Sequence, residues 1–241
     1  MEQGILLSGG TEVDFMVHGV FSYELFGQTV WITTTHVCLL IVFLLITAFC
    51  IAANAAMKKA TEVPGAFQNV VEIIVDMLDN MIAGVMGPFA PKFRNYIGTI
   101  FIFILISNIS GLFGLRPPTA DYGVTLALAL ITFTLIHFNK FKYQKVSGVL
   151  RDLCSPWPIW APINIVSDFA VPISLSLRLF ANVLSGTAIM ALIYALLNKV
   201  AIIWPAALHV YFDLFSGAIQ TYVFCMLTMT YVTNACTTEE S

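Results

Sequence analysis

Long apolar stretches alternate with short clusters of charge along the whole chain. Leu25 to Met57 carries no Asp, Glu, Lys or Arg, is most apolar from Cys38 to Ile46, and ends at Lys58-Lys59. Asn95 to Leu115 gives a second run of 21 uncharged residues, framed by Lys92 and Arg94 before it and Arg116 after it. Val124 to Phe138 is a third, closed by Lys140, Lys142 and Lys145. A loop with Pro156, Pro158 and Pro162 leads to Asn164; helical patterning then runs to Asn198, interrupted by Pro172, and after Lys199 a last apolar helix runs to about Thr233. Runs of roughly 20 apolar residues are what a helix needs to cross a hydrocarbon core. The pattern predicts a first span over 30–57, a helical hairpin over 95–138 and a longer hairpin over 164–233.

The stretch 61–86 is patterned differently. Glu72, Asp76 and Asp79 follow at spacings of four and three and share one helical face, while Val70, Val71, Ile74, Leu78, Met81 and Ile82 lie towards the other. That is an amphipathic helix, lying along the membrane surface or against a partner. Pro64 sits near its start and Gly87-Pro88 stops it. The acidic face argues for a protein neighbour rather than anionic lipid. The expected fold is therefore an all-α polytopic membrane protein of about five transmembrane helices plus one amphipathic surface helix, forming a single membrane domain over 1–241.

Composition supports this class. Hydrophobic residues make up 59% of the chain and charged residues 10%, against about 25% charged in a soluble domain. The net charge of −3, with basic residues mostly at span ends, excludes a nucleic-acid partner. The five cysteines form no CxxC and no metal-binding spacing, so neither a metal nor a cofactor is expected. The N-terminus has no basic stretch followed by a short apolar run and a cleavage site, which predicts no cleavable signal peptide. With five spans, Lys58, Lys59, Lys92, Arg94, Lys140, Lys142, Lys145 and Arg151 share one side, and only Arg116 and Lys199 fall on the other. Eight against two places that side in the cytoplasm, with the segment 1–29 outside and the C-terminus inside.

Two features of the last hairpin point to function. Residues 164–198 would extend about 52 Å as a straight helix, against a core of about 30 Å. They must tilt, kink at Pro172 or protrude, and a strongly tilted hairpin offers a long lateral face to a large intramembrane partner. Within it stands Arg178, followed by an uncharged run from Leu179 to Asn198. A guanidinium there costs about 2.5 kcal/mol or more and cannot escape by deprotonation. It needs an anionic partner, a water-filled cavity or both. Ser174, Arg178, Asn182 and Ser185, spaced four, four and three, form one polar stripe. Asp168 lies nearly in phase, about three turns nearer the cytoplasm. On the last helix His209, Asp213 and Gln220 form a second stripe, with Ser216 and Gly217 between them. Facing polar stripes in a membrane hairpin read as an ion path. The plainer alternatives are an Arg178–Asp213 ion pair, an Asn182–Gln220 hydrogen bond and a hydrogen-bonded interfacial His209.

These residues also carry a resemblance. Pro162-Ile-Asn-Ile-Val-Ser-Asp-Phe-Ala-Val-Pro-Ile-Ser-Leu-Ser-Leu-Arg-Leu-Phe-Ala-Asn182 resembles the arginine signature of subunit a of F-type ATP synthases. Pro118 to Leu130 and Ile219 to Tyr231 resemble two further signatures of that family, and the likeness covers roughly 30 to 233. It implies a stator subunit, not catalytic alone, beside a rotating ring of c subunits that each carry a membrane-embedded carboxylate. It also implies peripheral-stalk b subunits, H⁺ or Na⁺ as the transported ion, no cofactor, and a bacterial plasma membrane. Arg178 matches the family's essential arginine; Asn182 and Gln220 match its polar partners, and Asp168 a frequent acidic position near the cytoplasmic exit. The ring-facing surface is expected to include Leu175, Arg178, Leu179 and Asn182. Three positions depart from the pattern. Ala181 stands where the family usually has Gly. Thr187 stands where some members carry a glutamate nine residues after the arginine, and Asp213 where those members often carry a histidine. One acid has thus moved to the facing helix, and the outer half-channel is expected to depend on Asp213 with Gln220 and His209. The rival reading, a secondary transporter with an intramembrane Arg178–Asp213 site, predicts an internal repeat, and the sequence has none.

Overall fold

The computed structural model describes residues 19–25, 28–58, 65–113, 115–154, 157–197 and 208–237. An antiparallel hairpin opens the described part, β1 (Gly19–Leu25) pairing with β2 (Gln28–Thr33), with Leu25 opposite Gln28 and Gly19 opposite Thr33. Six helices follow: α1 (Thr34–Met57), α2 (Ala66–Met86), α3 (Ala90–Ile109), α4 (Tyr122–Leu153), α5 (Ala161–Leu197) and α6 (Gly217–Cys236). A π-helical turn, Val210–Ser216, leads into α6. Five helical stretches are long and apolar enough to cross a membrane; the second of them joins α2 and α3 over Ala66–Phe113. The protein is an all-α polytopic membrane protein carrying one small β-hairpin.

Several predicted boundaries move, each for a local reason. The first helix starts at Thr34 and not at 30, because Thr29 to Thr33 is a β-branched and aromatic run that pairs as β2. The His36 ring contacts the Thr33 hydroxyl at 2.7 Å and accepts from the Thr33 backbone N–H at 3.4 Å, fixing the helix start. The expected start of the second helix, 61–64, lies outside the described residues, as does the turn at Lys199. Between α2 and α3 the chain bends at Gly87, whose φ of 50° suits only glycine, and a 3₁₀ turn at Gly87–Phe89 feeds α3 at Ala90. The hairpin predicted over 95–138 therefore starts at 90 and runs to Leu153. Lys140 and Lys142 end an apolar stretch without ending a helix, since lysine is a good helix former.

Helix α6 forms the centre of the bundle: Phe224, Cys225, Met229 and Val232 are fully buried. Around them pack Leu78, Ile82 and Met86 of α2, Phe93, Ile97 and Ile104 of α3, and Leu175 and Leu179 of α5. Lipid is as apolar as these side chains, so close packing and interhelical hydrogen bonds hold such a bundle together. Tyr96 meets Thr132 at 3.1 Å, and Lys92 donates to Asn139 at 3.0 Å, both joining α3 to α4. Arg94 pairs with Asp79 at 3.1 Å across α2 and α3. In contrast, Leu40, Phe43, Leu44, Leu45 and Ile51 of α1 are exposed, as lipid-facing residues are. The burial of Leu175 and Leu179 corrects the expected ring-facing surface: both pack inward, and their neighbours Ser174, Leu177, Arg178 and Ala181 face out.

Candidate functional site

Helix α5 runs unbroken for 37 residues, about 55 Å. Pro172 lies inside it without ending it, and its missing N–H leaves the Asp168 carbonyl without the usual helical donor. Because 175, 176 and 179 form the buried stripe, the side chains of Ser174 and Arg178 stand on the outer face. Ile173 and Leu177 on the same outward side of α5 are about half exposed (50% and 46%), so the face that carries Arg178 is open and otherwise largely apolar. Among the described residues Arg178 has no ion-pair partner. Of the three plainer alternatives, the two pairings are corrected, while His209 is hydrogen-bonded as the third had it. Asp213 pairs with His209, Nδ1 to Oδ2 at 2.8 Å, and not with Arg178. Asn182 accepts from Ser216 Oγ at 3.0 Å, and not from Gln220.

The second stripe is split. In an uninterrupted α-helix His209, Asp213 and Gln220 would share a face. The π-helical turn over Val210–Ser216 inserts the equivalent of one residue, and each residue of an α-helix accounts for about 100° of rotation. Gln220 consequently turns into the bundle, 9% exposed, with its Nε2 buried and unbonded among the described residues. Asp213 instead stands over Gly111, in the 3₁₀ turn Ser110–Phe113 that ends α3. A Cβ on Gly111 would lie 3.1 Å from Asp213 Cγ and 3.3 Å from both carboxylate oxygens. Beside the carboxylate is a void of about 10 Å³, lined by Asn108, Pro117, Asn182, Val183, Gly186, Phe212, Asp213 and Gly217. It has room for about one water molecule.

Sequence reasoning missed the residues that build this pocket from the α3 side. Asn108 is 3% exposed. Its Nδ2 donates to Gly217 O at 3.1 Å and approaches Thr221 Oγ1 at 3.4 Å, and its Oδ1 accepts from Thr119 Oγ1 at 2.8 Å. An amide inside the uncharged run 95–115 was the available signal. Nearer the other end of α5, Asp168 Oδ2 lies 3.8 Å from both His137 Nε2 and Lys140 Nζ of α4. Both partners were also missed; His137 and Asp168 border a largely apolar groove of about 540 Å³ that includes Phe133, Phe169 and Leu153. Thr187 is exposed and donates to the Leu184 carbonyl at 2.9 Å, as membrane-helix threonines often do.

The structure thus places a polar cluster and an outward-facing arginine on the last two helices of a polytopic α-helical membrane protein. The sequence profile of the ATP synthase A chain matches residues 35–233, and the chain belongs to that family. It is 38% identical over 191 residues to the sodium-ion-specific ATP synthase subunit a of Propionigenium modestum, covering 73% of this chain and 65% of that protein. It is 32% identical over 241 residues to ATP synthase subunit a of Limosilactobacillus fermentum (91% of this chain, 98% of that one). With ATP synthase subunit a 1 of Chlorobium luteolum it shares 31% identity over 227 residues, 94% and 96% of the two chains.

Proposed function

We propose that this chain is the ion-translocating stator subunit of an F-type ATP synthase, working in a bacterial plasma membrane against a c-subunit ring and held by peripheral-stalk b subunits. Arg178 is the observation that carries the reading. A permanent cation on the exposed face of a membrane helix, with no ion-pair partner among the described residues, is costly against lipid. It is well placed against a partner that presents a carboxylate. As each ring carboxylate arrives, the fixed charge favours its ionised form, so it gives up its ion. The same charge repels any cation passing directly from one side of the membrane to the other, which makes rotation the only route.

Two half-channels complete the path. The outer one runs by Asp213, His209 and Asn182, where the water-sized void and the 2.8 Å carboxylate–imidazole contact lie. The cytoplasmic one passes Asp168, with His137 and Lys140 beside it. Ser174 lines the ring-facing approach to Arg178, and Gln220 offers a buried amide that still needs a partner. Thr187 occupies the position from which the outer acid has moved to Asp213. The coupling ion is H⁺ or Na⁺, and the sodium specificity named for the Propionigenium protein gives Na⁺ equal standing in any assay.

The experiment is Arg178→Ala and Arg178→Lys in the complete synthase, reconstituted in vesicles. Both variants assemble and lose coupled ATP synthesis. The alanine variant also conducts ions passively under an imposed gradient, because attraction and barrier go together. Lysine keeps a charge that can be lost in a low-dielectric setting and lacks the planar fork. Substantial coupled synthesis by the alanine variant would refute the assigned role, and loss of assembly would return Arg178 to a structural one.

A further inference from the structure

We propose that Asn108 and Thr119 are positioning residues that clamp the junction between the π-helical turn and α6, and so fix where the Asp213 carboxylate stands. This inference deepens the functional reading above and rests on it.

The clamp is visible in the hydrogen bonds. Asn108 leaves α3 and reaches Gly217, the first residue after the π-helical turn, donating to its carbonyl at 3.1 Å. Thr221 Oγ1 donates to the same carbonyl at 2.8 Å. Thr119, fully buried in the 3₁₀ turn before α4, donates to Asn108 Oδ1 at 2.8 Å. That bond occupies the amide oxygen and leaves Nδ2 to face Gly217. The approach is close: a Cβ on Gly217 would lie 2.9 Å from Asn108 Cβ, a separation real Cβ atoms essentially never show. A π-helical turn is one residue away from an ordinary α-helix. Relaxing it would swing everything before it by about 100° relative to α6. Asp213 lies inside that turn. The bonds at Gly217 hold its downstream end, and Gly111, one turn beyond Asn108 on the same strand of chain, receives the carboxylate. One end of α3 therefore supplies both the clamp and the floor of the pocket. Asn108 also lines the water-sized void beside Asp213, so the clamp and the pocket share this residue.

A purely structural interhelical bond would tie α3 to α6 and nothing more. The two roles separate in the ion dependence of turnover. In the reconstituted synthase, the rate is measured against Na⁺ at fixed pH and against pH at fixed Na⁺, alongside the amount of assembled complex. Thr119→Val removes the hydroxyl at nearly constant volume, and Asn108→Leu removes the clamp itself. Both are expected to raise the half-saturating concentration of the coupling ion, by up to about 100-fold where the carboxylate moves by about 1 Å. Thr119→Ser, which keeps the hydroxyl, restores the parent value. If half-saturation stays fixed while rate falls in step with assembled complex, the pair is structural glue and the inference is overturned. An Arg178→Ala control that keeps coupled synthesis overturns the functional reading and this inference with it. A control that uncouples, while Thr119→Val leaves half-saturation unmoved, overturns the inference alone.

Discussion

Asp213 can lie where it does because position 111 has no side chain. With a Cβ there 3.1 Å from the carboxylate carbon, Gly111→Ala must displace the acid, the 3₁₀ turn or both. The variant is expected to assemble and to translocate ions more slowly, read as ATP synthesis per assembled complex; parent-like rates would show that the carboxylate has room to spare. Asp213→Asn tests the group itself. It keeps the shape and can still bond His209, so assembly should persist while ion-driven synthesis falls steeply. Pairing Thr187→Glu with Asp213→His returns the acid to α5 and should restore part of the rate. Wild-type synthesis in Asp213→Asn would falsify its place in the outer path. The charged members of this site, Arg178 and Asp213, are legible in sequence because a charge inside an uncharged run is expensive and therefore conspicuous. Asn108, Thr119 and Gly111 are not, since amides and hydroxyls recur in membrane helices as ordinary interhelical contacts and a glycine shows its purpose only once its neighbour in space is known.

The helices themselves are readable from apolar run length, and their ends are not. Lysines closed the third apolar stretch at Phe138, yet α4 continues to Leu153 because charge forbids lipid and not helix. The β-hairpin was hidden because Leu25 to Thr33 is as free of charge as the span that follows it. The π-helical turn leaves no mark on hydrophobic spacing, and with it went the phase of Gln220. The break between α2 and α3 is the opposite case, announced by Gly87-Pro88. At Gly87 φ is 50° and ψ is −120°, outside the left-handed region that even asparagine tolerates. Gly87→Ala should cost about 1–3 kcal/mol, with nothing within 4 Å for the added methyl to strike. The expected result is a lower thermal midpoint of the purified complex with an unchanged ion dependence. An unchanged midpoint would mean that the bend between α2 and α3 does not require glycine.

At the scale of the whole molecule, the charge asymmetry and the outer face of α5 each predict an arrangement in the membrane. Eight basic residues on one side against two on the other put the α4 end that carries Lys140 and Lys142 in the cytoplasm. A cysteine at position 144, in an otherwise cysteine-free background, should then react with an impermeant reagent from the cytoplasmic side; reaction only from outside would invert the topology. The proposed ring-facing surface rests on burial. One side of α5 carries Leu175, Ser176 and Leu179 into the bundle core, 2%, 0% and 0% exposed. The opposite side carries Ser174, Leu177, Arg178 and Ala181, which recur at helical spacing and lie open. An arginine cannot face lipid at this depth without heavy cost, so the surface around it has to be covered, and the cover has to bring negative charge. Cysteines at 174, 177 and 181 should therefore cross-link to the ring when the synthase is oxidised. Cysteines at 175 and 179 should not, because both positions are buried in the core that α5 shares with α6. Exposed α1 is the competing surface, with Leu40, Phe43 and Leu44 all more than half exposed. It carries no charge that would require an anionic partner, and lipid satisfies it. If cross-links form from α1 and none from Ser174, Leu177 or Ala181, the ring lies against a different face and the argument from Arg178 fails.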